Sequence, residues 1–186
     1  MLNNVMKSWL SIAMNLTFLS WIFLGDPNIS NFYFMLNVLG AYCLLDMKTS
    51  KDMVIHHLAV LGINFALNSF PPFDHEPAKV INEFLSYYKV FFKTEVSTVF
   101  LCFIHLKYKN PVVYGLFVST FIYFRNYCLT KTFLDWEVNN FTEKYCNNSF
   151  CVYVWYISFV TLIVLNWYWL ILILNKLKKK ITKKNK

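Results

Sequence analysis

The chain has 186 residues, 57% of them apolar and 20% aromatic, with four glycines and 15% charged residues. This is too apolar for a soluble domain of that length and predicts a polytopic membrane protein. The net charge of +8 is uneven, because Lys176, Lys178, Lys179, Lys180, Lys183, Lys184 and Lys186 supply seven of the 18 basic residues. Directly after an apolar helix, such a tail suits a cytosolic surface beside anionic lipid rather than nucleic acid.

Six apolar segments follow one another, at 9–24, 32–45, 53–70, 87–106, 111–129 and 152–174, each near the length that a bilayer core demands. The second is the shortest. The first ends in Gly25-Asp26-Pro27 without a small-residue cleavage pattern, which predicts a retained span rather than a signal peptide. Breaks are expected at Asp26-Pro27-Asn28, between Asp46 and Asp52, across Pro71-Pro72 to Pro77, at Lys107 to Pro111, and from Thr130 to Ser149. An interfacial helix is expected over 78–84. The expected fold is therefore an all-α membrane protein of about six transmembrane helices. Residues 1–31 form an N-terminal span and lumenal turn, 32–176 the main transmembrane domain, and 177–186 a basic cytosolic tail.

The lysines orient this bundle. With both termini cytosolic, that side holds twelve lysines: Lys7, Lys48, Lys51, Lys107, Lys109 and the seven of the tail. The opposite side holds three, Lys79, Lys131 and Lys144, an asymmetry that matches the positive-inside rule. The sequons Asn140-Phe141-Thr142 and Asn147-Asn148-Ser149 then face the lumen, although chance in an asparagine-rich chain explains them equally well. Cys43, Cys102 and Cys128 read as small buried hydrophobes. Cys146 and Cys151 flank a short polar stretch and can pair if that loop meets an oxidising lumen. No metal-spaced cysteine set is present, so neither a metal nor a bound cofactor is expected. Lys183 and Lys184, fourth and third from the end, resemble a dilysine retrieval signal read by coat proteins, which places the chain in the endoplasmic reticulum.

Ionisable groups within apolar segments are costly and mark working sites. His56 and His57 open the third segment, and adjacent helical residues point about 100° apart, so one is expected to act and the other to support it. An imidazole can serve as general base or as nucleophile, and a carboxylate can fix its tautomer. Asp52, four residues before His56, can lie on the same helical face or remain a solvated cap. Glu95 interrupts the fourth segment and Arg125 the fifth, an acid and a base in neighbouring spans. The drawn topology sets Arg125 nearer the lumen than Glu95, leaving direct pairing open.

Asp46, the His56-His57 pair, Glu95 followed by Ser97-Thr98 and Phe100-Leu101, Phe121-x-x-x-Arg125, and Leu165-Asn166-Trp167-Tyr168-Trp169 running into Lys176 occur in that order. Together they resemble the TLC domain, the family of the ceramide synthases, the translocating-chain-associating membrane protein and a ceroid lipofuscinosis membrane protein. The resemblance covers residues from about 32 to 176. It implies helices around a cavity open to the cytosol, with His56 and His57 as catalytic residues and Asp46, Asp52, Glu95 and Arg125 as polar cavity residues. In ceramide synthases the equivalent pair moves an acyl group from acyl-coenzyme A to a sphingoid amine. Those enzymes carry a second acidic motif where this chain reads Tyr87-Tyr88-Lys89-Val90-Phe91, and an additional N-terminal span for which this chain is too short. It looks more like the small TLC-domain proteins.

The expected function is acyl transfer from acyl-coenzyme A, as co-substrate, to a membrane lipid in sphingolipid or related metabolism. The alternative is a non-enzymatic lipid-sensing protein or cargo receptor of the endoplasmic reticulum. A channel or transporter is disfavoured by the lack of paired halves and of helices broken by glycine or proline.

Overall fold

The computed structural model describes residues 4–24, 29–45, 51–69, 78–107, 110–138 and 148–184, and every regular element among them is helical. The first three helices are α1 (Asn4–Leu24), α2 (Ile29–Leu45) and α3 (Lys51–Asn68). The fourth rod is α4 (Ala78–Lys93) followed across Thr94 by α5 (Glu95–His105). The fifth joins α6 (Pro111–Thr120), a π-helical segment (Phe121–Cys128) and α7 (Leu129–Val138), and α8 (Ser149–Lys184) is the last.

Local chemistry sets the ends. Pro111 opens α6, and Asn110 caps it by accepting from the Val112 amide at 2.8 Å. Asn148 caps α8 through bonds from the amides of Phe150 at 2.6 Å and Cys151 at 3.2 Å. After α5 the chain turns through Lys107 at φ 72°, a left-handed residue of the kind that commonly stops a helix.

Two expectations change. Residues 78–84 are not a separate interfacial helix but the first turns of α4. The fifth rod does not stop at residue 129. Leu129, Thr132 and Trp136 extend one buried face through α7, and Lys131 pairs with Asp135 four residues on at 2.6 Å. Residues 177–184 of the basic tail continue α8 as helix. Two helices, Pro111–Glu137 and Ser149–Lys179, are long and apolar enough to cross a membrane.

α3 packs along α8, α2 packs on α3, and α5 is held between α1 and α6. Gly62 permits the first approach, since a Cβ there would collide with Ser158 Oγ and lie 3.2 Å from Ser158 Cβ. Asn64 ties α3 to α2 by donating to the Leu36 carbonyl at 2.5 Å, in space that Gly40 leaves open. At one end of the bundle the core is aromatic: Trp136 stacks on Trp155 at 4.7 Å, and Phe159 meets Phe133 at 4.9 Å and Phe91 at 5.0 Å. Such pairs each add about 0.5–1.5 kcal/mol beyond simple burial. They close that end, and the cavity lies beyond it.

Candidate functional site

A cavity of about 750 Å³ opens between α2, α3, the fourth and fifth rods and α8, within the range of small-molecule pockets. Buried Leu67, Phe92 and Leu162 close its floor, while exposed His105, Lys176 and Lys179 stand at its rim. Most of the wall is apolar. The polar groups fall into two clusters.

The first cluster is centred on Arg125. Its Nε donates to Ser97 Oγ at 2.7 Å and to the Thr94 carbonyl at 3.3 Å, and its Nη2 donates to Thr98 Oγ1 at 2.5 Å. Glu95 Oε1 lies 3.5 Å from Nη2, and the guanidinium sits 5.7 Å from the centre of the Phe121 ring. Thus Glu95 and Arg125 do pair. The few residues of depth that separate them amount to about 5 Å of helical rise, which the long arginine side chain covers.

Two breaks build this cluster. Thr94 interrupts the fourth rod, its own hydroxyl bonding back to the Phe91 carbonyl at 2.6 Å, so that its carbonyl accepts from both Ser97 Oγ and Arg125. In the fifth rod, the Thr120 hydroxyl bonds the carbonyls of Leu116 at 2.6 Å and Phe117 at 3.1 Å just before the π-helical segment. The wider turn then re-aims the helix at Arg125, as π-bulges often do at working sites. Neither break contains glycine or proline. The one signal in the sequence was the threonine at each, which is weak.

The second cluster is the histidine pair. Both imidazoles line the cavity, with ring centres 5.7 Å apart. His56 packs against the Trp169 ring of α8 at 5.3 Å, and His57 meets the Tyr42 ring of α2 at 6.3 Å. His56 Nδ1 is buried and has no hydrogen-bond partner among the described residues. Asp52 lies half-buried in the first turn of α3 and is not among the cavity-lining residues. Asp46 and Cys146 lie outside the described residues, as do most of both sequons. Lys183 and Lys184 fall in the last turn of α8.

Asn166 is a further site residue, which the sequence marks only as part of the run from Leu165 to Trp169. It lines the cavity one helical turn before Trp169, 2% exposed, and its Oδ1 has no partner among the described residues. A buried amide in an apolar run, on the same face as Trp169 and Lys176, was the available signal. Among the described residues, no group of three or more histidine, cysteine, aspartate or glutamate side chains is placed to hold a metal.

The arrangement offers a largely apolar pocket with a base and an amide carbonyl that have no hydrogen-bond partner among the described residues, beside a fixed cation–carboxylate pair. The chain matches no family model, no curated protein and no solved structure.

Proposed function

We propose that the protein is a multi-pass membrane protein of the endoplasmic reticulum that transfers an acyl group from acyl-coenzyme A to a lipid acceptor. The observation that carries this reading is His56: an imidazole lining a 750 Å³ largely apolar cavity, with a buried Nδ1 that has no partner among the described residues. A thioester is already activated, so the site must supply a base, positioning and exclusion of water. In the proposed step, His56 takes the proton of the acceptor hydroxyl or amine as that atom attacks the thioester carbonyl. The carbon–sulfur bond breaks, and the proton passes to the departing coenzyme A thiolate.

The membrane part of the reading is supported by an inverted surface. Phe34, Leu44, Val112, Tyr153, Ile157 and Val164 are exposed, while Asn15, Ser97, Arg125, Asn126 and Asn166 are buried. Large apolar side chains on the outside and polar ones within suit lipid as solvent. Six rods, read together with the lysine asymmetry, support a topology with both termini in the cytosol, and the dilysine-like tail favours the endoplasmic reticulum. The ordered motifs that resemble the TLC domain support the same assignment. They also favour a second reading, because no acid occupies residues 87–91: a non-enzymatic lipid sensor or cargo receptor using the same cavity.

The test is purified protein in lipid bilayers, given long-chain acyl-coenzyme A and a panel of amine- and hydroxyl-bearing lipids. Free coenzyme A should be released by wild type and lost in His56→Ala/His57→Ala. Equal release by both for every acceptor sinks the enzymatic reading and leaves the sensor.

A further inference from the structure

One face of α8 runs in order along the cavity wall: Leu162 at the floor, then Asn166, Trp169, Ile173, Lys176 and Lys179. Trp169 marks the level of His56. Lys176 is seven residues further out and Lys179 ten, which is roughly 10 and 15 Å at the helical rise. The rim these lysines share with His105 carries no carboxylate among the described lining residues, of which Glu95, deeper and facing Arg125, is the one acid. The cavity is therefore an amphipathic slot, apolar below and cationic at its edge.

We infer that Lys176 and Lys179 form a phosphate-binding rim, and that the ligand of this cavity is an acyl amphiphile bearing phosphate on a long arm. Solvent-exposed lysines after an apolar helix usually serve only as an anchor to anionic lipid. These two differ from Lys178 in lining the cavity. With a reacting carbonyl held at His56, the phosphate has to lie about 10–15 Å away. Coenzyme A places its pyrophosphate beyond the whole pantetheine arm, whereas a glycerophospholipid keeps phosphate close to its ester. The spacing favours coenzyme A, a choice that rests on the acyl-transfer reading; the rim itself does not.

The experiment measures binding without turnover. Wild-type protein in uncharged-lipid nanodiscs is titrated with a fluorescent long-chain acyl-coenzyme A, and displaced by unlabelled acyl-coenzyme A, lysophosphatidate or monoacylglycerol. The same titration is made on Lys176→Gln/Lys179→Gln and on Lys178→Gln/Lys186→Gln, which removes equal charge from the tail. The first pair should weaken acyl-coenzyme A binding about tenfold or more, leave displacement by monoacylglycerol unchanged, and exceed the effect of the second pair. Stronger displacement by lysophosphatidate than by acyl-coenzyme A keeps the rim and moves its ligand to a phospholipid. Equal losses in the two lysine pairs, or no preference of wild type for phosphate over monoacylglycerol, overturn the proposal. Tight rim-dependent binding without coenzyme A release would instead reject only the acyl-transfer reading.

Discussion

Arg125 approaches Glu95 at 3.5 Å, yet its shorter bonds go to the hydroxyls of Ser97 and Thr98. The carboxylate thus balances the charge while neutral oxygens fix the position. Half-buried Glu95 would be left facing apolar walls if the cation were removed, and loss of one member of a buried pair costs about 3–5 kcal/mol. Arg125 without Glu95 would keep its neutral acceptors.

This asymmetry predicts that Arg125→Met lowers thermal stability and protein yield far more than Glu95→Gln. The double variant should recover part of the loss, because the unpaired acid is gone. Melting curves in detergent for the two single variants and the double variant measure the coupling. Equal destabilisation by the two single changes would show that Glu95, not the hydroxyls, holds the arginine.

A second prediction concerns the α3–α8 contact on which the histidine-to-tryptophan spacing depends. Gly62→Ala should destabilise by about 1–3 kcal/mol, as overpacking of a close contact does. Ser158→Gly in the same chain should restore most of it, since Ser158 Oγ is the atom a new Cβ meets first. Gly115→Ala is the control: nothing among the described residues lies within 4 Å of its added Cβ, so it should be neutral or stabilising by up to about 1 kcal/mol. Unfolding midpoints of the four proteins decide the matter.

The sequence made the helical rods, the histidine pair, Glu95 and Arg125 legible, because each ionisable residue interrupts a long apolar run. It did not show that Glu95 meets Arg125. That contact depends on the break at Thr94 and the π-helical turn, and both are set by threonine hydroxyls competing for backbone carbonyls. Propensity patterns carry little trace of such competition. Asn166 was visible only as one letter of a motif, since its significance comes from sharing a cavity wall with His56 across two packed helices.

Trp169 should act as a positioning residue. Its ring packs on His56 at 5.3 Å, so Trp169→Ala would let the imidazole swing, and small misplacements of a catalytic group cost up to about a hundredfold in rate. Trp169→Phe should retain most activity, because an aromatic face remains. Coenzyme A release measured beside acyl-coenzyme A affinity separates the roles: turnover should fall while affinity holds. A parallel fall in affinity would assign the ring to substrate binding instead.

The tail makes a separate prediction. Lys183→Ser/Lys184→Ser should let the protein move to later secretory compartments, whereas Lys178→Ser/Lys180→Ser should not, because a receptor reads position rather than total charge. Fluorescence localisation of the tagged variants checks this. The tag belongs at the amino terminus, where protease should reach it in selectively permeabilised cells if both ends are cytosolic. Equal relocation by the two pairs would make bulk charge the determinant.

Asn166 separates ligand binding from stability most cleanly. A buried carbonyl oxygen without a partner costs about 1–3 kcal/mol, and replacement by an apolar side chain of similar size removes that cost. Asn166→Leu should therefore raise the melting temperature of the ligand-free protein. The same change should weaken binding of an amphiphile whose head donates a hydrogen bond, by roughly tenfold for one lost bond of about 1.4 kcal/mol. Asn166→Asp keeps an acceptor but adds a buried charge, and should lower stability instead. Melting curves with and without a hydroxyl-bearing lipid provide the measurement: wild type should be stabilised by the lipid, and the leucine variant should start higher and gain less. If the leucine variant is less stable than wild type and gains as much from the lipid, the amide is a packing element of α8 and the ligand's head must be held elsewhere in the cavity.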